Sequence, residues 1–336
     1  MNRFIISLFI SVFVSVANAQ ALSDMKDNNT SVKRVFGSSP PMNYLLYALN
    51  PEKMIGLNFQ AKNPFNGASP RFVQKRFLSL PVIGSFHGSG QSINLESLVA
   101  ARPDLVLLWE DDMLVKTVSE QIAKLGVPTL TVPFREIESM PSAMERVGEA
   151  IGEAERGREL ADYTRGILRE INTSLEGVRP TRYYYAEGLD GLSTECDASF
   201  HVVAMNFAGG ENVHKCRQSN LRGLEKINFE TLLSYDPDVI IVQHPMVYSD
   251  LVEDPLWQKL RAVKGGRIYL VPTTPFNWVD RPPSFMRVIG IQWLATLLHP
   301  KEYLVDLRAR VTEFYNLFLG VDLSDPDINT LLGDRI

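Results

Sequence analysis

The chain has 336 residues, 45% of them apolar and 22% charged, with a formal net charge of -5 at pH 7. That length is enough for two lobes, each with its own core. Mild acidity without a long basic run argues against nucleic acid as the main partner.

The first element is "MNRFIISLFISVFVSVANAQ": one early arginine, an apolar run from Phe4 to Val16, then Ala17-Asn18-Ala19. A short apolar run before an A-x-A site is the pattern of a secretory signal, here residues 1–19 with cleavage after Ala19. The run is too short to span a bilayer comfortably, and no cysteine follows it to carry a lipid. Elsewhere no apolar run is long enough for a transmembrane helix. The mature protein is expected to be exported, soluble and not a lipoprotein. Residues 20–31 ("QALSDMKDNNTS") read as a flexible leader.

Ordered pattern begins at "VKRVFG", a strand ending at Gly37 and a Ser-Ser-Pro-Pro turn. "MNYLLYALN" reads as a helix and "MIGLNF" as a second strand. Residues 58–92 are rich in Gly, Pro and Asn and read as a long loop with a short helix near Arg71 to Leu78; long irregular segments of this kind are often functional. "PVIGSF" is a strand running into "HGSGQS". Then "NLESLVAARPDLVLLW" gives a helix, a turn at Arg102-Pro103-Asp104 and an apolar strand Leu105 to Trp109. "MLVKTVSEQIAKLGVPTLTVP" repeats the scheme. Apolar strands alternating with amphipathic helices predict a parallel sheet covered on both faces.

From Pro141 to Val178 the pattern is helical, with Gly152 separating a long second helix from the first. At 1.5 Å per residue that helix would span on the order of 35 Å, the size of a lobe. The second half returns to the βα theme: "RYYYAEG" as strand, "SFHVVAMNFAGGENV" as helix, "NFETLLSYDPDVIIVQ" as helix, turn and strand, then "PLWQKLRAVKGGRIYLVP". "NLESLVAARPDLVLL" and "NFETLLSYDPDVIIV" match each other, 134 positions apart. Both are Asn-x-Glu helices leading through x-Pro-Asp into a buried strand, which predicts two equivalent α/β lobes.

Cys196 and Cys216 have 19 residues between them, and both lie in the exported part. In an oxidising space they are expected to pair, worth about 3 kcal/mol in the chain-entropy model; the alternative is two free buried thiols. Two cysteines alone do not make a structural zinc pattern.

These motifs, with "FAGGENV", "WVDRPPSFMRVIGIQWLATLLHP" and the tail "FYNLFLGVDLSDPDINTLL", resemble the periplasmic binding proteins of ABC importers for iron-siderophores, haem, vitamin B12 and related metal complexes. The resemblance covers essentially the whole mature chain. It implies an α/β fold of two lobes with mainly parallel sheets, joined by one long rigid backbone helix, with the ligand cleft between lobes. The boundaries are 32–150 for the N-terminal lobe, 151–178 for the connecting helix and 179–336 for the C-terminal lobe with its helical tail. It implies a periplasmic monomer that delivers its ligand to an inner-membrane permease and ATPase. It also implies permease docking through Glu96 in "NLES" and Glu230 in "NFET", two separated carboxylates that let the permease read both lobes. The plainer alternative is that each glutamate favours the first turn of its helix through the macrodipole.

Ligands of open α/β sheets bind outside the carboxyl ends of the strands. The candidates there are Phe86 and His87 after "PVIGS", with Gly88 to Gly90 allowing close backbone approach. Trp109 follows "DLVLL". Tyr185 and Glu187 end "RYYYAEG", on one face with Tyr183. His201 opens a helix, capped by Ser199. Trp278 and Arg281 lie in "FNWVDRPPS", where Trp278 offers a flat wall, Arg281 a fork of donors and Asp280 a means of orienting it. Pro282 and Pro283 are expected to open the following helix.

No histidine pair has close metal-ligand spacing, and there is no H-E-x-x-H, P-loop, G-x-S-x-G or dinucleotide fingerprint. The expected function is non-catalytic: capture of an iron-siderophore or similar metal chelate, with no intrinsic cofactor. A nickel or cobalt complex and a molybdate- or tungstate-like oxyanion stay open, and a periplasmic metal-dependent enzyme is the reading from another class.

Overall fold

The structure, a computed structural model, describes residues 31–61, 68–86, 95–111, 114–217 and 223–333. The signal segment 1–19 and all but the last residue of the leader lie outside the described residues. The described residues fall into two compact units, the first ending at Thr164 and the second starting at Arg165.

In the first unit, β1 (Val35–Gly37), β2 (Leu105–Trp109) and β3 (Thr129–Val132) form a parallel sheet in that order. Val35 lies opposite Leu105, and Leu107 opposite Leu130. All of β2 is buried, as a strand covered on both faces requires. The helices are α1 (Pro40–Leu49), α2 (Lys75–Ser79), α3 (Leu95–Ala100), α4 (Val115–Ala123), α5 (Met140–Ala150) and α6 (Ala154–Ser174). The division between the units falls inside α6. Phe36, Val106, Leu108, Leu98, Val118 and Ile122 share one apolar cluster between sheet and helices.

Two local expectations change here. The Ser-Ser-Pro-Pro stretch is not a separate turn: α1 starts at Pro40, because first-turn positions need no amide partner. "MIGLNF" is not a full strand. It makes single bridges, Met54 with Val35 and Leu57 with Val82. Buried asparagines take the bonds a ladder would make. Asn43 accepts from the Gly37 amide at 2.9 Å and donates to Gly56 O, and Asn58 donates to Gly37 O and Gly84 O.

In the second unit, β4 (Thr181–Ala186), β6 (Gly210–Asn212), β8 (Val239–Val242) and β9 (Ile268–Leu270) form a parallel sheet in the order β6-β4-β8-β9. A small antiparallel pair, β5 (Ser193–Thr194) with β7 (Glu225–Lys226), is bridged to the end of β4 through Ser193 and Glu187. The helices are α7 (Val203–Phe207), α8 (Phe229–Tyr235), α9 (Pro245–Glu253), α10 (Arg261–Lys264), α11 (Arg287–Leu298), α12 (Leu307–Phe314) and α13 (Asp325–Leu332). Tyr184 and Ala186 join the core with Ile240, Val242 and Trp257; alternation sends Tyr183 and Tyr185 to the other face. α11 is buried almost all round, as an apolar helix should be. A Cβ at Gly290 would lie 1.9 Å from the Trp278 carbonyl oxygen, so glycine lets the preceding loop lie directly on α11.

The internal echo extends to the backbone. Arg102 has φ 46 and Asp236 φ 39, each directly before the proline of its x-Pro-Asp turn. The turns are gripped the same way. Arg34 donates to the carbonyls of Ala101 (2.6 Å) and Arg102 (3.1 Å), and Arg182 to those of Tyr235 (2.6 Å) and Asp236 (3.3 Å). One arginine per unit thus satisfies the helix-end carbonyls and holds a left-handed residue that would otherwise be strained.

Candidate functional site

The C-terminal ends of the second unit's strands gather a network of charged side chains. Glu187 directly follows β4 and exchanges backbone hydrogen bonds with Ser193, 2.8 Å and 3.2 Å. Glu195 directly follows β5. Ser199 Oγ donates to its carboxylate at 2.8 Å, and Asn212 Nδ2 to its carbonyl at 2.9 Å. Arg281, in the loop between β9 and α11, lies between the two. Its Nε donates to Glu187 Oε1 at 2.5 Å, and its Nη2 to Glu187 Oε2 at 3.3 Å and to Glu195 Oε1. Its φ of 56 is left-handed, a strained setting that recurs at functional sites.

Asp280 is fully buried and serves the second half of the network. One oxygen lies 2.5 Å from His201 Nδ1, the other 3.3 Å from Arg287 Nη2. Arg287, itself 1% exposed, also donates to Val279 O and Phe200 O. Asn277 Oδ1 shapes the loop by accepting from the amides of Val279 and Asp280, 2.8 Å and 2.9 Å. Ser199 caps the turn that carries His201, its Oγ accepting from the His201 amide at 3.2 Å.

Burial and charge divide the carboxylates. Burial pushes Asp280 upward, but His201, Arg281 and Arg287 outweigh it and hold the group below its ordinary range. Asp280 is therefore an acceptor only, and His201 donates Nδ1–H to it. With Nδ1 turned to Asp280, Nε2 is the ring nitrogen left for a ligand, the arrangement that orients metal-binding histidines. Glu195 goes the other way, pushed up to about 8 by burial first and by Glu187 second, against the pull of Arg281. Glu187 is also raised, by burial opposed by Arg281.

Of the residues singled out in the sequence, the fold brings Glu187, His201 and Arg281 together. Tyr185 lies on the same strand end, 0% exposed, and its hydroxyl has no hydrogen-bond partner among the described residues. Trp278 departs from the flat wall expected of it. It is fully buried, and its indole N–H donates to Thr274 O at 3.1 Å and lies 3.3 Å from Tyr315 Oη. Pro282 and Pro283 do not open the helix: α11 begins at Arg287, after a turn in which the Arg287 amide donates to Ser284 O. In the first unit, Phe86 is buried edge-on against Phe36, centroids 5.9 Å apart, and Trp109 is buried at the end of β2. His87 and Gly88 to Gly90 lie outside the described residues.

Sequence reasoning missed Glu195 and Arg287. Arg287 had a signal, a lone charge inside the apolar run "FMRVIGIQWLATLL". Glu195 had a weaker one, its place beside Cys196, which is disulfide-bonded to Cys216.

The model of the family described as "Periplasmic binding protein" matches residues 86–275. The chain belongs to the periplasmic binding protein family. A solved structure, the ABC transporter solute binding protein from Sulfurospirillum deleyianum DSM 6946, is 38% identical with a TM-score of 0.86, covering 90% of this chain and 94% of that one. The molybdate-binding protein MolA of Haemophilus influenzae is 25% identical, over 69% of this chain and 71% of its own. The vitamin B12-binding protein of Vibrio parahaemolyticus is 21% identical, over 76% and 85%. As a periplasmic binding protein, the chain is the solute-binding component of an ABC transporter; its own place is the periplasm, and it works with that transporter's permease and ATPase. The ligands named for its relatives differ from one another. Among the described residues, no helix is long and apolar enough to cross a membrane.

Proposed function

We propose that this periplasmic binding protein captures a metal chelate, of the iron-siderophore class, and delivers it to the inner-membrane permease without chemical change. The observation that carries this reading is the buried Asp280–His201 pair, Oδ2 to Nδ1 2.5 Å. A carboxylate on Nδ1 orients an imidazole and leaves Nε2 as the nitrogen that can ligate. An iron chelate with an open coordination position would accept that nitrogen. Glu187 and Arg281 then stand beside the organic shell.

A molybdate-like oxyanion is the second reading, supported by the likeness to MolA. The electrostatics favour it less. The Nε and Nη2 of Arg281 already face Glu187 and Glu195, so an incoming anion competes with two acidic side chains for the same donors.

The mature chain is taken to be a monomer released from its signal after Ala19. It docks through Glu96 and Glu230, both exposed in the first turns of α3 and α8. Calorimetric titration with ferric tetradentate or hexadentate chelates, and separately with molybdate, tests the ligand class. Binding of a ferric chelate that weakens at least tenfold in His201→Ala supports the proposal. Binding of molybdate alone, indifferent to His201, refutes it.

A further inference from the structure

A second group of metal-ligating atoms lies in the second unit, beside the charged network but sharing none of its carboxylates. Sγ of Cys196, Sγ of Cys216 and a ring nitrogen of His214 all lie within 4.8 Å of one another. We propose that Cys196, Cys216 and His214 form a latent site for a borderline divalent cation of the zinc class, opened when the disulfide is reduced.

Three observations support it. The first is orientation. His214 Nδ1 lies 3.0 Å from the Tyr235 hydroxyl, while Nε2 is buried with no hydrogen-bond partner among the described residues. A buried polar atom left unpaired costs about 1–3 kcal/mol. An imidazole held at one nitrogen and bare at the other is a ligand in waiting.

The second is that Cys196 and His214 are held together by bonds other than the disulfide, while Cys216 follows His214 by two residues. Asn212, on β6, accepts from the His214 amide at 2.9 Å through Oδ1 and donates to Glu195 O at 2.9 Å through Nδ2. The Asp197 amide donates to His214 O at 3.1 Å. Residues on both sides of Cys196 are thereby tied to His214 or to Asn212. The two cysteine Cα atoms are 5.1 Å apart. After reduction both sulfurs remain within reach of one cation.

The third is donor chemistry. Two thiolates and one imidazole suit zinc-like cations, with a fourth position left for water.

Reduction needs an external dithiol. Its thiolate attacks Sγ of Cys216, the half-buried cysteine, and Cys196, which is fully buried, leaves as a thiolate. The donor's second thiol resolves the mixed disulfide. Two electrons and two protons reach the protein, and the donor departs as a disulfide. The cation then displaces the two thiol protons.

The test is anaerobic titration of the purified protein with Co2+, then Zn2+, before and after treatment with dithiothreitol and its removal. The reduced protein should bind one Co2+ per chain with a thiolate-to-cobalt charge-transfer band, which Zn2+ abolishes; the oxidised protein should show no such band. His214→Ala should weaken binding by roughly tenfold or more, and Tyr235→Phe by about tenfold. Identical titrations before and after reduction would overturn the proposal, as would unchanged affinity in His214→Ala. Loss of the far-UV circular dichroism of the reduced protein before metal is added would also overturn it, since the site is proposed to be preformed.

Discussion

Asp280 receives the Nδ1–H of His201 at 2.5 Å while Arg287 approaches its other oxygen at 3.3 Å. The aspartate therefore orients the histidine, and Arg287 anchors the aspartate. Asp280→Asn keeps the shape but can offer an amide to Nδ1, which releases the tautomer. Affinity for the metal chelate should fall about 10- to 100-fold, with the fold retained by circular dichroism. Unchanged affinity would assign the pair to stability alone.

Glu195 gives a pH signature. Its folded-state proton affinity lies above the ordinary carboxylate value of 4.5, at about 8. A raised acid contributes stability that is full below the unfolded value and is lost as pH rises through the folded one. The melting temperature of the parent should therefore decline between pH 5 and 9 more than that of Glu195→Gln. Asp280, held low, acts in the opposite sense: its contribution is full above its unfolded value and disappears as pH falls through its depressed folded value. Parallel melting curves for parent and Glu195→Gln across this range would contradict the assignment.

Arg281 and Trp278 sit three residues apart and should separate by phenotype. Arg281→Ala leaves Glu187 and Glu195 buried without their cation, at a cost of about 3–5 kcal/mol, and it should also change ligand affinity. Trp278→Ala removes a fully buried ring, costing about 3–5 kcal/mol, and the folded fraction should bind ligand normally. Chemical denaturation and calorimetry on both variants check this; a folded Trp278→Ala with abolished binding would return Trp278 to the ligand wall.

Docking makes a cellular prediction. Glu96→Lys with Glu230→Lys should stop uptake of the ligand while affinity in solution stays within about twofold of the parent, because surface changes away from the site act through the partner. Uptake at the parent's rate would leave the two glutamates as helix-start residues only.

Much of the fold was legible because its signals are local. The apolar run ending at Trp109 is β2, "DPDVIIV" contains β8, and the pattern after Gly152 is α6. The reading failed where side chains replace backbone bonds. Asn43 and Asn58 take over the pairing of "MIGLNF", and a left-handed Arg281 delays α11 past two prolines. At the site, position alone singled out Glu187 after a strand, His201 at a helix start and Arg281 in a loop. It did not show that Arg281 is shared with Glu195, which arrives from a separate two-stranded pair. Nor did it show that Trp278 packs inward, since alternation in a loop carries no face information.

The measurement that tests the central claim most directly is native mass spectrometry, with elemental analysis, of the protein isolated from periplasm under non-denaturing conditions. The account predicts one metal chelate per chain, retained by the parent and lost in His201→Ala. A bare oxyanion in its place, or the same chelate retained without His201, would contradict it.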